Sequence, residues 1–148
     1  MTRWLDEREQ RAWRAYLGTV LAVQSGLEAQ LTADAGMPHA YYEVLVQLSE
    51  APDRALRMSA LADATASSRS RLSHAVSQLE KRGWVQREDC PTDRRGQVAV
   101  LTDGGHRALE QAAPGHVEAV RRLLIDKLTP AQLEQLSQIG QAVLSERA

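Results

Sequence analysis

The sequence predicts a mainly α-helical fold with one small β-hairpin. Apolar residues recur at the spacing of amphipathic helices along residues 7–31 near one end of the chain and 103–144 near the other. Between these segments, the β-prone runs 84–88 and 97–101 flank a polar loop that contains Pro and Gly, so we expect a hairpin with a long tip at 89–96. The 148 residues suit a single domain, 1–148.

The first part of the chain predicts two helices in succession. The apolar pattern of the first helix stops where Gly36 and Pro38 interrupt it. Pro38 suits the first turn of the next helix, because its missing N–H would have no partner there in any case. Val44, Leu45 and Leu48 lie on one side of this second helix, and residues 51–54 are typical of a turn.

A short helix, a tight connection and a longer helix follow. Residues 58–63 predict the short helix with Ser59 as its candidate N-cap, and Ser68 can cap the longer one. Gly83 lies where a left-handed residue would end the longer helix. Its apolar side consists of Leu72, Ala75, Val76 and Leu79. This order is a helix-turn-helix, and the hairpin directly after it forms a wing.

Burial of that apolar side turns a face rich in serine and arginine outward. Small hydroxyl side chains allow close approach to a groove and bond phosphates or base edges. The hairpin tip adds two arginines, and the negative potential of a narrow minor groove attracts guanidinium groups. The sequence therefore predicts that double-stranded DNA is bound by Ser68, Arg69, Ser70, Arg71, Ser73, His74, Ser77, Gln78, Arg94 and Arg95.

The charge distribution agrees with this prediction, although the formal net charge is −1. Residues 54–95 hold nine basic and five acidic side chains, whereas the rest of the chain holds nine basic and fourteen acidic ones. A basic middle supplies the local surface that phosphates require. The same surface also suits an acidic protein, so a winged-helix protein-interaction module without sequence-specific DNA binding is the alternative.

Two more helices are expected after the hairpin. Asp103 can cap the first of them, and Pro114 in its interior should kink or break it. Thr129 and Pro130 open the last helix with a capping-box pattern. The terminal helices carry apolar sides too wide for one chain to cover, and large exposed apolar patches mark partner surfaces. We therefore expect residues 5–31 and 103–148 to form a homodimer beside the DNA-binding region 38–102.

The chain resembles the MarR family of bacterial regulators. The resemblance lies in residues 58–62, 68–73 and 79–87 and in the wing signature Asp93, Arg95, Leu101 and Thr102. One departure is Ala66-Ser67 in the turn, where the family often has Gly followed by an apolar residue. The resemblance implies a two-fold dimer on a pseudopalindromic operator, usually as a repressor. It also implies that Arg95 enters the minor groove and that Asp93 orients it.

The resemblance further implies release from DNA by a small effector, frequently aromatic or phenolic. In this chain the corresponding pocket would draw on Trp13, Tyr16, His39, Tyr41, Tyr42 and His116. The alternative interpretation is that these are core and interface side chains, because the chain has no Phe and its Trp and Tyr residues supply all the aromatic packing.

Two other features could take part in sensing or could have no functional role. Cys90 lies at the start of the hairpin near Arg87 and Arg94, which can lower the pKa of its thiol and favour oxidation. His106 and Glu110 are four residues apart and could bind a metal with a third ligand. Cys90 can equally be an unreactive thiol, and the His–Glu pair a solvated surface pair.

The sequence shows none of the patterns expected of an enzyme. No Ser-His-Asp spacing, phosphate-binding Gly loop or evident carboxylate pair is present, so we expect neither catalysis nor a cofactor nor a resident metal. No run of 18 uncharged apolar residues is present, so we expect no membrane partner. The first ten residues also lack a signal-peptide pattern, and a single cysteine excludes an internal disulfide, so we expect a cytoplasmic location.

Overall fold

A computed structural model describes residues 1–145, with Arg94 described by its backbone alone. Within this part of the chain there are six α-helices, three β-strands and two short 3-10 helices. The helices are α1 (Glu7–Ala35), α2 (His39–Glu50), α3 (Met58–Ala64), α4 (Arg69–Lys81), α5 (Asp103–Leu123) and α6 (Pro130–Leu144). The strands are β1 (Ala55–Arg57), β2 (Val85–Cys90) and β3 (Asp93–Leu101), and the 3-10 helices are Pro52–Arg54 and Ile125–Lys127.

The chain divides into two compact units. The central unit consists of residues 31–115 and holds α2, α3, α4 and the sheet. The terminal unit consists of residues 1–30 together with 116–148, and within it lie most of α1, the end of α5 and α6. The predicted DNA-binding region 38–102 falls inside the central unit.

The core of the central unit is built from the apolar sides that the sequence pattern predicts. Leu45 and Leu48 of α2, Leu61 of α3 and Val76 and Leu79 of α4 have no exposed surface. They pack in one cluster with residues of β2 and β3. Burial of each such side chain contributes about 1.5–3 kcal/mol, so this cluster fixes which side of each helix faces inward.

The helix-turn-helix has the predicted connections but one different cap. The Ser68 Oγ accepts a hydrogen bond from the Arg71 amide at 3.2 Å, so Ser68 caps α4 as expected. The prediction for Ser59 is wrong, because the residue before α3 is Arg57 and Ser59 lies within the helix. Ala66 in the turn has a φ of 49°, a left-handed conformation that favours glycine. Gly83 ends α4 with a φ of 74°, as predicted.

The three strands form an antiparallel sheet in the order β1-β3-β2. The sequence pattern does not reveal β1, which has only three residues and pairs Leu56 with Ala99 of β3. The hairpin differs from the predicted long tip, because only Pro91 and Thr92 connect its strands. The ladder reaches this far because a register shift at Asp89 and Cys90 lets Cys90 pair with Asp93.

The start of α5 joins the end of α4 to the sheet. Thr102, rather than the predicted Asp103, caps α5, because its Oγ1 accepts a hydrogen bond from the Gly105 amide at 3.0 Å. The same hydroxyl donates to the Gly83 carbonyl at 2.6 Å. The Thr102 amide in turn donates to the Trp84 carbonyl at 3.0 Å. The predicted break at Pro114 is absent, since α5 continues through it to Leu123, whereas the alternative of a kink there stays a prediction.

The terminal unit has well-capped helices and a close helix contact. Asp6 and Glu9 exchange side-chain hydrogen bonds with each other's backbone amides, at 2.8 and 2.9 Å, which caps α1. Thr129 and Gln132 form the predicted capping box of α6. A methyl group at Gly26 would lie 2.7 Å from Leu123, so α1 and α5 pack closely there. Among residues 1–145, no helix combines the length and apolar character that crossing a membrane requires.

Substitution of Gly105 should test the junction at the start of α5. A Cβ at Gly105 would overlap the backbone carbonyl of Trp84, whereas a Cβ at Gly104 would lie 3.4 Å from its nearest neighbour, the Gly83 carbonyl oxygen. We expect Gly105→Ala to lower the free energy of unfolding by about 3 kcal/mol. The matched variant Gly104→Ala should change it by less than about 0.5 kcal/mol. Chemical denaturation measures both, and equal effects would contradict this packing.

Candidate nucleic-acid interface

One side of α4 is buried and the other is exposed. Leu72, Ala75, Val76 and Leu79 are buried, in agreement with the predicted apolar side. The predicted contact residues Ser68, Arg69, Ser70, Arg71 and His74 are exposed. The N-terminal part of α4 therefore presents two guanidinium groups, two hydroxyls and an imidazole to the outside of the central unit.

The other predicted residues of α4 lie closer to the sheet. Ser73, Ser77 and Gln78 are half-buried. The Ser77 hydroxyl donates to the Ser73 carbonyl at 2.9 Å and accepts a hydrogen bond from Arg87 of β2 at 2.6 Å. These contacts join this edge of α4 to the hairpin.

The predicted wing residues lie in β3 next to the turn rather than in a long tip. Asp93 begins β3, and its Oδ1 accepts a hydrogen bond from the backbone amide of Arg95 at 3.0 Å. Asp93 therefore acts on Arg95 through the backbone, and the Arg95 side chain is exposed. The side chain of Arg94 lies outside the described residues.

A groove of about 400 Å³ separates α4 from the hairpin. It brings Arg69 and Ser73 of α4 together with Asp93 and Arg95 of β3, so four of the predicted residues share one concave surface. Its lining also includes Arg57 and Arg87. We define the basic groove as this space lined by Arg57, Arg69, Arg87, Arg95 and Asp93. Among the described residues that line it, four guanidinium groups outnumber one carboxylate, so the lining carries a net positive charge even after Arg87 is paired with Glu80 of α4.

The residues predicted from the sequence do not include Arg57 and Arg87, which also line the groove. The sequence could have indicated Arg87, because side chains alternate between the two faces of a strand. Arg87 follows the buried Val85 by two residues along β2 and therefore lies on the same face. Arg57 gives no such signal, because it lies in β1, which the sequence pattern does not reveal. Its guanidinium donates to the Cys90 Sγ at 3.0 Å and to the Thr92 hydroxyl at 3.2 Å, which holds the hairpin turn against β1.

The C-terminal end of α4 is held by Arg82. Its guanidinium lies over the rings of Tyr41 and Trp84, 5.4 and 5.0 Å from their centroids. It also donates to the Gly36 carbonyl at 3.2 Å. Cation–π contacts of this kind contribute about 0.5–1 kcal/mol each at exposed sites. Arg82 thus ties α4 to α2 and to the start of β2.

The side chains predicted for an effector pocket fall in both units. In the central unit, Tyr42 is buried in the core, where burial raises the pKa of its hydroxyl, and Tyr41 packs against Arg82. His39 lies 3.8 Å from Glu43. In the terminal unit, the exposed rings of Trp13 and Tyr16 stack with centroids 5.9 Å apart, and His116 is half-buried.

Cys90 lies at the end of β2, not at the start of the hairpin as predicted. The register shift that extends the ladder also turns Cys90 inward, so its side chain is buried. The hydrogen bond with the Thr92 hydroxyl, together with the nearby Arg57, holds the pKa of the Cys90 thiol below its usual value. An oxidation-sensing role for Cys90 stays a prediction.

His106 and Glu110 form a surface pair, with 3.6 Å between Nδ1 and Oε2. A metal site at this pair would need a third ligand. Over the described part of the chain, no group of three or more His, Cys, Asp or Glu side chains is arranged to hold a metal ion.

The sequence has relatives in one family of regulators. The profile of the MarR family matches residues 35–96, which contain the helix-turn-helix and most of the hairpin. The transcriptional repressor MprA of Escherichia coli is 30% identical to this chain over 110 residues, or 74% of the chain. The matched region covers 62% of MprA, so this chain spans less than two thirds of that repressor.

Two solved structures from Streptomyces coelicolor are similar over nearly the whole chain. One is Sco3205, a MarR family transcriptional regulator in complex with DNA, with 52% identity and a TM-score of 0.93 over 98% of this chain and 91% of that one. The other is the MarR family transcriptional regulator AbsC, with 42% identity and a TM-score of 0.90 over 98% of this chain and 97% of that one.

Proposed function

We propose, because this chain belongs to the MarR family of transcriptional regulators, that it represses transcription by binding double-stranded DNA as a homodimer. The family consists of regulators rather than enzymes. The exposed N-terminal half of α4 enters a major groove, and the arginines at the start of β3 reach the adjacent minor groove. The basic groove between them, about 400 Å³ and lined by the exposed Arg69 and Arg95, is the observation that carries this proposal.

The side chains divide into two roles by their chemistry and position. Arg69 and Arg71 near the start of α4 suit guanine, whose O6 and N7 accept a bidentate pair from arginine. The exposed hydroxyl of Ser70 and the imidazole of His74 lie on the same side of α4 and supply hydrogen bonds to base edges or phosphates. The borders of this surface are formed by Ser68, Ser73, Ser77 and Gln78.

The hairpin supplies the second contact. Arg95 is exposed beside the groove, and the bond from its backbone amide to Asp93 fixes where its side chain departs from β3. We assign the minor-groove contact to Arg95, with Arg94 beside it in the sequence. The DNA complex of the similar Streptomyces regulator supports DNA as the partner.

A second copy of the chain is the partner of the terminal unit. Large apolar side chains are exposed there on α1 and α6 at helical spacing, among them Leu17, Leu21, Ile139 and Val143. Exposed apolar stripes of this extent mark protein interfaces. A homodimer also presents two copies of α4, and half-sites on DNA are spaced by about 34–36 Å, one helical turn. Together these points favour a pseudopalindromic operator.

A small aromatic or phenolic effector completes the proposal. Tyr41 offers a ring near the end of α4, and Trp13 and Tyr16 offer a stacked pair on α1. An effector that binds one conformation of the dimer better than the other shifts the affinity for DNA by at most that difference in binding free energy.

The salt dependence of DNA binding should separate a regulator from a protein-interaction module. Genomic fragments of the source organism that the protein retains are recovered, and their affinity is measured by fluorescence anisotropy over a range of salt concentrations. Each phosphate contact contributes about −0.9 to the slope of log affinity against log salt, so about three contacts per copy give a slope of about −5 for a dimer. A flat response would favour the protein-interaction module.

Substitutions in the wing and in α4 should have different consequences. Arg95→Ala should weaken binding to all sequences by about 1–3 kcal/mol, because it removes a groove contact that reads no particular base. Ser70→Ala and Arg71→Ala should change which operator is preferred. Competition among operator variants measures both effects. Arg122→Ala removes the same charge from α5 in the terminal unit and should leave affinity unchanged; identical results for all four variants would contradict the assignment.

The oligomeric state should depend on the apolar side of α1. The chain mass is 16.4 kDa, and light scattering after size exclusion should give twice that value. Leu17→Glu places a charge on a side chain that is 45% exposed in the single chain, so it should yield a folded monomer. Ala15 lies two residues away, on the opposite side of α1, and Ala15→Glu should remain a dimer. A dimer for Leu17→Glu would place the interface elsewhere.

A further inference from the structure

We propose that Arg87 is a positioning residue, which fixes the hairpin to α4 and thereby sets the separation of the two DNA contacts. This inference rests on the proposed function, because it concerns how the same surface is held in shape. Arg87 belongs to β2, and its side chain points from the hairpin towards α4, where it meets Ser73, Ser77 and Glu80.

The guanidinium of Arg87 contacts α4 through two of its nitrogens. One terminal nitrogen donates to the Ser73 carbonyl and to the Ser77 hydroxyl, both at 2.6 Å. On another edge, Nε lies 3.0 Å from the Glu80 carboxylate. Ser73, Ser77 and Glu80 are spaced by four and three residues on α4, so a single side of the helix presents all three. The two hydrogen bonds to Ser73 and Ser77 are charge-assisted and therefore stronger than neutral ones, and the contact with Glu80 is an ion pair.

Burial and charge separate Arg87 from the residues assigned to DNA. The Arg87 side chain is 20% exposed, and Glu80 compensates its charge within the protein. Arg69, Arg71 and Arg95 are exposed instead. A guanidinium that already contacts an acidic side chain, a carbonyl and a hydroxyl has few N–H donors left for a phosphate.

The consequence for DNA binding is preorganisation. The major-groove contact lies on α4 and the minor-groove contact lies on β3, which pairs with β2 at Arg87 and Ala99. If Arg87 holds β2 against α4, both contacts meet the duplex at a fixed spacing, and less conformational freedom is lost on binding. Without this link, the wing contact of Arg95 would form less often.

The direction in which Glu80→Ala changes the affinity for DNA tests this inference. Glu80→Ala removes a negative charge from the side of α4 that faces the hairpin, so electrostatics alone predicts tighter binding to DNA. If Glu80 holds Arg87 in place, the same variant should bind operator DNA about 3- to 10-fold more weakly. Glu88→Ala is the matched control, since Glu88 is an exposed acid on β2 and carries the same charge.

A double-mutant cycle should show whether Arg87 affects DNA binding through the wing contact of Arg95. If Arg87 positions the wing, Arg95→Ala should cost much less affinity in the Arg87→Ala background than in the wild-type protein, whereas Ser70→Ala should cost the same in both. For Arg87→Ala, the hydroxyl-radical footprint should lose protection of the minor-groove sugars that the wing covers, whereas protection of guanine N7 from dimethyl sulfate in the major groove should persist. Thermal unfolding of each variant verifies that it is folded, and Arg87→Lys, which keeps the charge without the planar fork, should not restore the footprint.

The outcomes distinguish this inference from the proposed function. If the wild-type protein does not bind DNA, the proposed function fails. If the wild-type protein binds and Glu80→Ala binds no more weakly than Glu88→Ala, or if the effects of Arg87→Ala and Arg95→Ala are additive, the positioning role of Arg87 is overturned and the proposed function stands.

Discussion

The rotation of α4 about its own axis is the constraint on which the proposed DNA surface depends. Leu72, Val76 and Leu79 are buried in the core, and turning the helix by even one residue, 100°, would expose part of this stripe. Because each buried leucine or valine contributes about 1.5–3 kcal/mol, the core holds the helix in one orientation. The exposed position of Arg69 and Arg71 is therefore a consequence of hydrophobic burial on the other side.

The base of the hairpin packs in the core of the central unit, whereas its outer part is oriented by polar contacts. Its outer part contains few apolar residues, and the links from Arg57 to the turn and from Arg87 to α4 supply what packing does not. The register shift near Cys90 matters for the same reason, since it extends the ladder to Asp93 and brings Arg95 beside the groove. A shorter ladder would leave these residues in a loop.

Local signals in the sequence predicted the parts of the fold that local physics determines. The helical periodicity of α4, the cap at Ser68 and the left-handed Gly83 each depend on residues within a few positions, and all three were predicted correctly. The prediction of the α5 cap was wrong by one residue: Thr102 caps the helix through the Gly105 amide, and its hydroxyl also donates to Gly83, a contact that no local pattern reveals. Strand β1 was missed because it exists only through its pairing with β3.

The candidate surface also combines local and long-range determinants, and this explains how a chain with a net charge of −1 can have a groove with a positively charged lining. A count of charges treats Glu80 and Asp93 as repulsive to phosphate. In the structure Glu80 neutralises Arg87, and Asp93 binds the Arg95 backbone amide, so both acids hold the hairpin in shape. Pairing of this kind depends on the fold and cannot be read from composition. Glu80 and Asp93 therefore help to position Arg87 and the Arg95 backbone, which a count of charges does not reveal.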